Sequence, residues 1–472
     1  MDADDLAFAG IAAQAELIRT GEITSRELVE LYLSRIQRID PELNAFREVF
    51  AEEARAAAAD ADERIGRGDQ APLLGVPVAF KDELDMEGRV ARHGTSAYDE
   101  PATANAVHVQ RMLDAGAIAL GKTALPELAV CGFTESITSG DTRNPWDLSR
   151  TPGGSSGGSG AAVAAGLVGA ASASDGAGSI RIPAALNGLF GLKPQRGRVS
   201  LMPEAEHWHG MSKTGCLTRR VADAALWLDV ARGPADGDAH RPPPPDGSYV
   251  EAARTPPPRL RIGRSRATVR ALVPPLMEAE ALSALDRATA VLEGLGHGVE
   301  ERDPDYGNAG NPMIALYLSG VREHLDTVPH PERLEARTRA FGRLGGMIPD
   351  RAVRSALRDQ DAHAARINEV FDHVDALMTP VTSTLPVPVG RWRGKGAVRT
   401  LIGMSRVYPY TAIWNYTGQP AAAIPVGFTD GGLPLSVMLI VPPNREDLIF
   451  SLAGQMEAVI GWPDRRPPLD GT

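Results

Sequence analysis

Residues 151–163 read TPGGSSGGSGAAV. Five of these thirteen residues are glycine and three are serine, and an apolar alanine run follows at once. Backbone this bare, set with hydroxyls, suits a flexible linker, a phosphate-cradling loop, or a hydrolytic site whose backbone amides and hydroxyls carry the chemistry. A linker should be polar on both sides, yet this stretch runs straight into AAVAAGLVGAASA (161–173), which is core material. A phosphate loop wants a nearby Lys or Arg, and none lies in residues 152–178. Further on, DGAGSIRIP (175–183) again sets one serine, Ser179, among Gly and Ala. Small neighbours let a substrate carbonyl come close to the backbone. They also leave the N–H groups of Gly176, Ala177, Gly178 and Ser179 free to face a developing oxyanion. A lone serine is a weak nucleophile and needs a base. The stretch AGSIR around Ser179 is not the Gly-x-Ser-x-Gly elbow of another hydrolase fold, since position 181 is Arg.

Outward from this loop the chain alternates helix and strand. Residues 7–20 and 24–38 read as helices. Thr24 and Glu27 form a capping box, with Ile23 and Leu28 at the staple positions. Leu28, Leu31, Leu33, Ile36 and Ile39 make an apolar stripe at roughly helical spacing. FAEEARAAAADADERIG (50–66) is rich in helix formers. LLGVPVAFKD (73–82) reads as a strand, and HVQRMLDAGAIALGK (108–122) as a helix, a glycine turn and a short buried strand. Further strands are expected at LRIGRS (260–265), DALMTPV (375–381) and PLSVMLIV (434–441), with helices over about 312–375. This alternation argues for α/β layers. RPPPPDGSYVEAARTPPP (241–258) reads as a surface connection, since proline lacks the amide a core element needs. No internal repeat is present.

The 472 residues carry 60 acidic and 49 basic side chains, a formal net charge of −11. An acidic chain is a poor candidate for nucleic acid or anionic membranes. Two cysteines, Cys131 and Cys216, cannot build a disulfide framework, and their spacing suits no zinc site. The acidic start MDADDLAF lacks the basic region of a signal peptide. No apolar run is long enough to span a membrane. The expected compartment is the cytoplasm, with no metal and no cofactor.

GAIALGKT (116–123) matches the P-loop pattern, but the context disagrees. Its intervening residues prefer a buried strand to an anion-wrapping loop. Pro126 arrives where a helix starting at Lys122 would need an amide. The reading adopted is a helix–turn–strand unit with a surface lysine at 122. His207 and His209 are read as pocket wall or surface, and Asp175 with Arg181 as a structural ion pair.

From Gly153 to Ala184 the sequence resembles the amidase signature family. GVPVAFKDELDMEG, AGAIALGKTALPELA, TRNPWDLSRTPGGSS, GLFGLKPQRGRVS and WNYTGQPAAAIPVG extend the likeness over residues 5–230 and, more loosely, 370–460. The resemblance implies one domain over residues 1–472, built on a large mixed, twisted sheet with helices on both faces. A variable, largely helical insert at about 235–400 is expected to shape the substrate pocket. The resemblance also implies a Ser–Ser–Lys triad: Ser179 as nucleophile, Ser155 as bridging serine on a cis peptide, and Lys81 as base. Cys131, Gly132, Ser156 and Trp208 are the expected substrate contacts. Two positions depart from the common family pattern: Ala177 replaces a frequent Gly, and Ala173-Ser174 a frequent Gly-Thr.

The implied reaction is hydrolysis of small aliphatic or aryl amides, with esters or carbamates as further substrates. The partner is a small-molecule amide, and a homodimer is compatible with the resemblance. Two alternatives stand beside it: the glutamine-hydrolysing subunit of a tRNA-dependent amidotransferase, and a non-catalytic binding or regulatory member of the family.

Overall fold

The apolar run Pro77–Lys81 is buried at every residue, the pattern of a central strand covered on both faces. The structure, a computed structural model, describes residues 2–270 and 273–469. In chain order its strands are β1 (Phe46–Val49), β2 (Pro77–Lys81), β3 (Ile118–Thr123), β4 (Glu135–Ser136), β5 (Gly140–Asp141), β6 (Ala170–Asp175), β7 (Phe190–Lys193), β8 (Lys213–Thr218), β9 (Arg261–Arg264), β10 (Gly298–Glu301), β11 (Ala376–Pro380), β12 (Ala421–Phe428) and β13 (Pro434–Ile440). Eleven of them form one sheet in the order β1-β3-β2-β6-β8-β7-β12-β13-β11-β9-β10, while β4 and β5 pair separately. Pairing is mixed. β2 runs parallel to β3 and β6, and β9 parallel to β10 and β11. The remaining pairs are antiparallel.

The helix expected over 7–20 is two, Ala3–Phe8 and Ile11–Arg19, broken at Gly10 with φ +87°, and the one expected over 24–38 continues to Leu43. Helix Ser25–Leu43 opens with Thr24 and Glu27 capping each other, and its Leu28, Leu33, Ile36 and Ile39 are buried. The glycine-rich stretch becomes the helix Gly157–Ala164, in which every residue is buried. Glycine is required there by close approach. A Cβ at Gly158 would lie 2.4 Å from Ala124 N and 2.6 Å from Ala45 O. Small residues thus let this helix sit on the sheet edge-on to β3, next to β2 and β6.

Two expectations need correction. Lys122 is not a surface lysine: it is fully buried on β3, 3.3 Å from Asp82. The Ile-Ala-Leu run places it inside a strand whose outer face is covered. The proline-rich connection contains a short helix, Tyr249–Arg254, whose Tyr249 is buried. Ser248 caps it, overriding the flanking prolines. The stretch at about 235–400 carries the strands expected at 260–265 and 375–381, as β9 and β11, and adds β10 at the same end of the sheet.

Candidate active site

Lys81 ends β2, and its amine is wholly buried. Its backbone N–H donates to Ser172 Oγ at 2.8 Å. Its Nζ donates to Ser155 Oγ at 2.8 Å and to Ser174 Oγ at 2.7 Å, and lies 3.2 Å from Glu83 Oε2. Burial lowers the lysine pKa from its ordinary value, against the opposing pull of Glu83 and Asp175. Ser155 is fully buried and follows a cis peptide from Gly154. Ser179 sits in the turn after β6, half-buried at the wall of a cavity. The two loops are joined by the Ser156 N–H donating to the Ser179 carbonyl at 3.3 Å. Among the described residues Ser179 Oγ has no hydrogen-bond partner. Relay bonds of this kind commonly tighten only when substrate is present.

The turn around Ser179 is pinned from below by Asp175. Its carboxylate accepts from the N–H groups of Gly178 (2.6 Å) and Ile180 (3.1 Å) and from Arg181 at 2.9 Å through two nitrogens. Arg181 and Asp175 are both fully buried. Burial alone would raise the Asp175 pKa, but Arg181 and Asn415 outweigh it and hold the carboxyl well below the usual range. Thr411 Oγ1 donates to the Ala177 carbonyl at 2.6 Å, and Asn415 to the Asp175 carbonyl at 2.6 Å. Gly178 adopts φ +131°, and a Cβ there would lie 2.4 Å from Thr411 Oγ1. Only glycine fits. Ala177 has no such demand, as it is not among the residues with positive φ.

This geometry sorts the expected site residues. Of the four N–H groups assigned to an oxyanion, that of Gly178 is already held by Asp175. Those of Gly176, Ala177 and Ser179 have no protein acceptor among the described residues. Cys131, Gly132 and Trp208 line the cavity with Ser179. Ser156 does not: it is fully buried, and its hydroxyl is tied to the backbone of Ser174 at 3.2 and 3.3 Å. That correction follows from the helix start at Gly157, which turns Ser156 toward β6. The Cys131 thiol is pushed up to about 12 by burial, so it stays protonated beside the serine. Trp208 and His209 have φ near +50°, as do Leu128 and Ala129 in the facing segment. Such left-handed pairs store of order 1–3 kcal/mol per residue and recur at functional sites. Helix Gly310–Asp326 makes room for the tryptophan with Gly320, where a Cβ would lie 2.9 Å from Trp208 Cα.

The cavity, about 260 Å³, is mostly apolar. Val130, Trp208, Met313, Tyr317, Met404 and Tyr408 supply much of its wall. His207 and His324 face a different, less apolar cavity, and burial drops them to about 4 and about 3, so both imidazoles are neutral near pH 7. No cluster of metal-binding side chains occurs among the described residues. Nor is any described helix long and apolar enough to cross a membrane.

The Amidase family model matches residues 27–450. The chain belongs to the Amidase family. It is therefore an amide C–N hydrolase. A Mycobacterium tuberculosis protein provisionally named amidase AmiB2 is 45% identical over 99% of this chain and 100% of its own length. A 6-aminohexanoate-cyclic-dimer hydrolase from a Pseudomonas species is 32% identical over 97% of this chain and 96% of its own length. Among solved structures, a bacterial aryl acylamidase aligns with a TM-score of 0.83 at 27% identity, covering 99% of both chains. For this amidase, sequence reasoning missed Ser174 and Glu83. The alternation Ala-Ser-Ala-Ser on β6 was the available signal: period two puts Ser172 and Ser174 on one face, and that face meets Lys81.

Proposed function

We propose that this amidase acts through a Ser179 acyl-enzyme, with Ser155 and Lys81 as its proton relay. The observation that carries the reading is the buried Lys81 amine, 2.8 Å from Ser155 Oγ. Neutral Lys81 accepts the Ser155 proton as Ser155 accepts that of Ser179, and Ser179 Oγ bonds to the amide carbon. The N–H groups of Gly176, Ala177 and Ser179 face the resulting oxyanion. The proton held on Lys81 returns through Ser155 to the amide nitrogen, the C–N bond breaks and the amine leaves. Water then attacks the acyl ester, losing its proton to the same relay. Ser179 recovers its proton as the carboxylic acid departs.

The apolar cavity supports amides with an aryl or bulky aliphatic group beside the scissile bond. An aryl acylamidase among the similar structures is consistent with that class. Carbamates and esters with the same apolar group share the reacting carbonyl. The chain is expected to work in the cytoplasm without a cofactor. A fluorophosphonate probe and a set of aryl amides test the reading. The wild type should label and hydrolyse, and Ser179→Ala should do neither. Labelling that survives Ser179→Ala would overturn the assignment.

A further inference from the structure

The amine of Lys81 has three neighbours, and they are not equivalent. Ser155 and Ser174 offer hydroxyls, which both donate and accept. Glu83 Oε2, at 3.2 Å, offers a carboxylate, which only accepts. An ammonium can donate to all three at once. A neutral amine has two N–H groups and one lone pair. The lone pair cannot face the carboxylate, because two acceptors repel, so it must face a hydroxyl. Glu83 reaches this position from the loop after β2 and lines a second cavity of about 110 Å³. Ser174 lines that cavity too.

Resting on Lys81 as the base, we propose that Glu83 is a positioning residue of the relay. Its carboxylate holds one N–H of Lys81, turns the lone pair toward the serine hydroxyls, and sets the pH at which the amine becomes neutral. The charges facing this pair come from several elements. Asp175 on β6 also favours the ammonium. Asp85 and Glu204 lie along the same cavity as Glu83, with His93, His108, His207 and His324 as its imidazoles. Burial lowers the pKa of all four imidazoles below the ordinary histidine value, so near neutral pH they contribute little charge. The nearest countercharge to the ammonium is therefore Glu83.

The sign follows directly. Glu83 stabilises the charged lysine, and hydrolysis needs the neutral one. Glu83→Gln keeps an acceptor for the N–H and removes the charge. The acid limb of its kcat/KM profile should move to lower pH by about one to three units, the range for a lost neighbouring charge. Glu83→Ala should move the limb the same way and also lower kcat about tenfold or more, because the lone pair is no longer aimed. Glu83→Asp, which withdraws the carboxylate by one methylene, should give a smaller shift in the same direction. An acid limb unmoved in both Glu83→Gln and Glu83→Asp would overturn the proposal. Fluorophosphonate labelling of Lys81→Met separates this from failure of the base assignment. Labelling lost in Lys81→Met with the limb unmoved removes Glu83 alone; labelling retained removes Lys81 as the base, and the proposal with it.

Discussion

Lys81 and Lys122 sit on neighbouring strands, both fully buried, and their polar neighbours differ in kind. Lys122 Nζ donates to the carbonyls of Leu84 and Val90, at 3.3 and 3.0 Å, and lies 3.3 Å from Asp82. Carbonyls cannot donate, so a neutral Lys122 would lose a bond without gaining one. Lys81 meets two hydroxyls that can reverse their role. Lys81→Met is therefore expected to cut kcat by about 10²- to 10⁴-fold, the usual size of a general-base contribution, with the folded CD spectrum retained. Lys122→Met is expected to leave Asp82 buried and unpaired. It should lower stability by about 3–5 kcal/mol in urea unfolding while the folded fraction keeps its kcat. The Cys131 thiol, at about 12, should react with iodoacetamide at pH 7 far more slowly in native than in unfolded protein.

The elements around Ser179 show what the glycines and the buried ion pair are for. Helix Gly157–Ala164 can approach β3 only because Gly158 has no side chain. Gly→Ala inside a helix ordinarily gains up to about 1 kcal/mol. At Gly158 the new methyl meets backbone at 2.4 Å, so the outcome should reverse, with a loss of about 1–3 kcal/mol from overpacking. Thermal unfolding of Gly158→Ala measures it. The Asp175–Arg181 pair fixes the turn between β6 and the helix Arg181–Asn187. Because the folded-state pKa of Asp175 lies below its unfolded value, the unfolded chain takes up this proton first as pH falls. The stabilisation from Asp175 is full above about pH 4, the unfolded carboxylate range, and is lost below it. Urea midpoints measured from pH 6 down to pH 3 should fall more steeply for the wild type than for Asp175→Asn.

At the scale of the whole molecule, the cavity is a meeting place of distant segments. The segments that carry Cys131, Ser179, Val269, Met313 and Met404 all reach it. Substrate range should therefore respond to a residue more than a hundred positions from the nucleophile. Met313→Trp, on the helix opposite Ser179, is expected to raise KM for bulky aryl amides about tenfold or more. The kcat/KM for acetamide should stay near the wild-type value, because a two-carbon acyl group needs little of the cavity volume. Steady-state kinetics on both substrates checks the split.

The sequence by itself determined the loop that carries Ser179, the strand that carries Lys81, and the start of the helix Ser25–Leu43. Those features depend on local needs: glycine where backbones nearly touch, a capping pair three residues apart, an apolar run for a doubly covered strand. Tertiary structure alone decided that Lys122 is buried and that Ser156 supports β6 and stays out of the cavity. It also decided that Gly178 spends its N–H on Asp175, and that Ser174 and Glu83 share the amine of Lys81. Each of those facts is a side-chain meeting across strands or loops. Register, burial and competition for hydrogen bonds settle such meetings, and none of these can be read from a single stretch of chain.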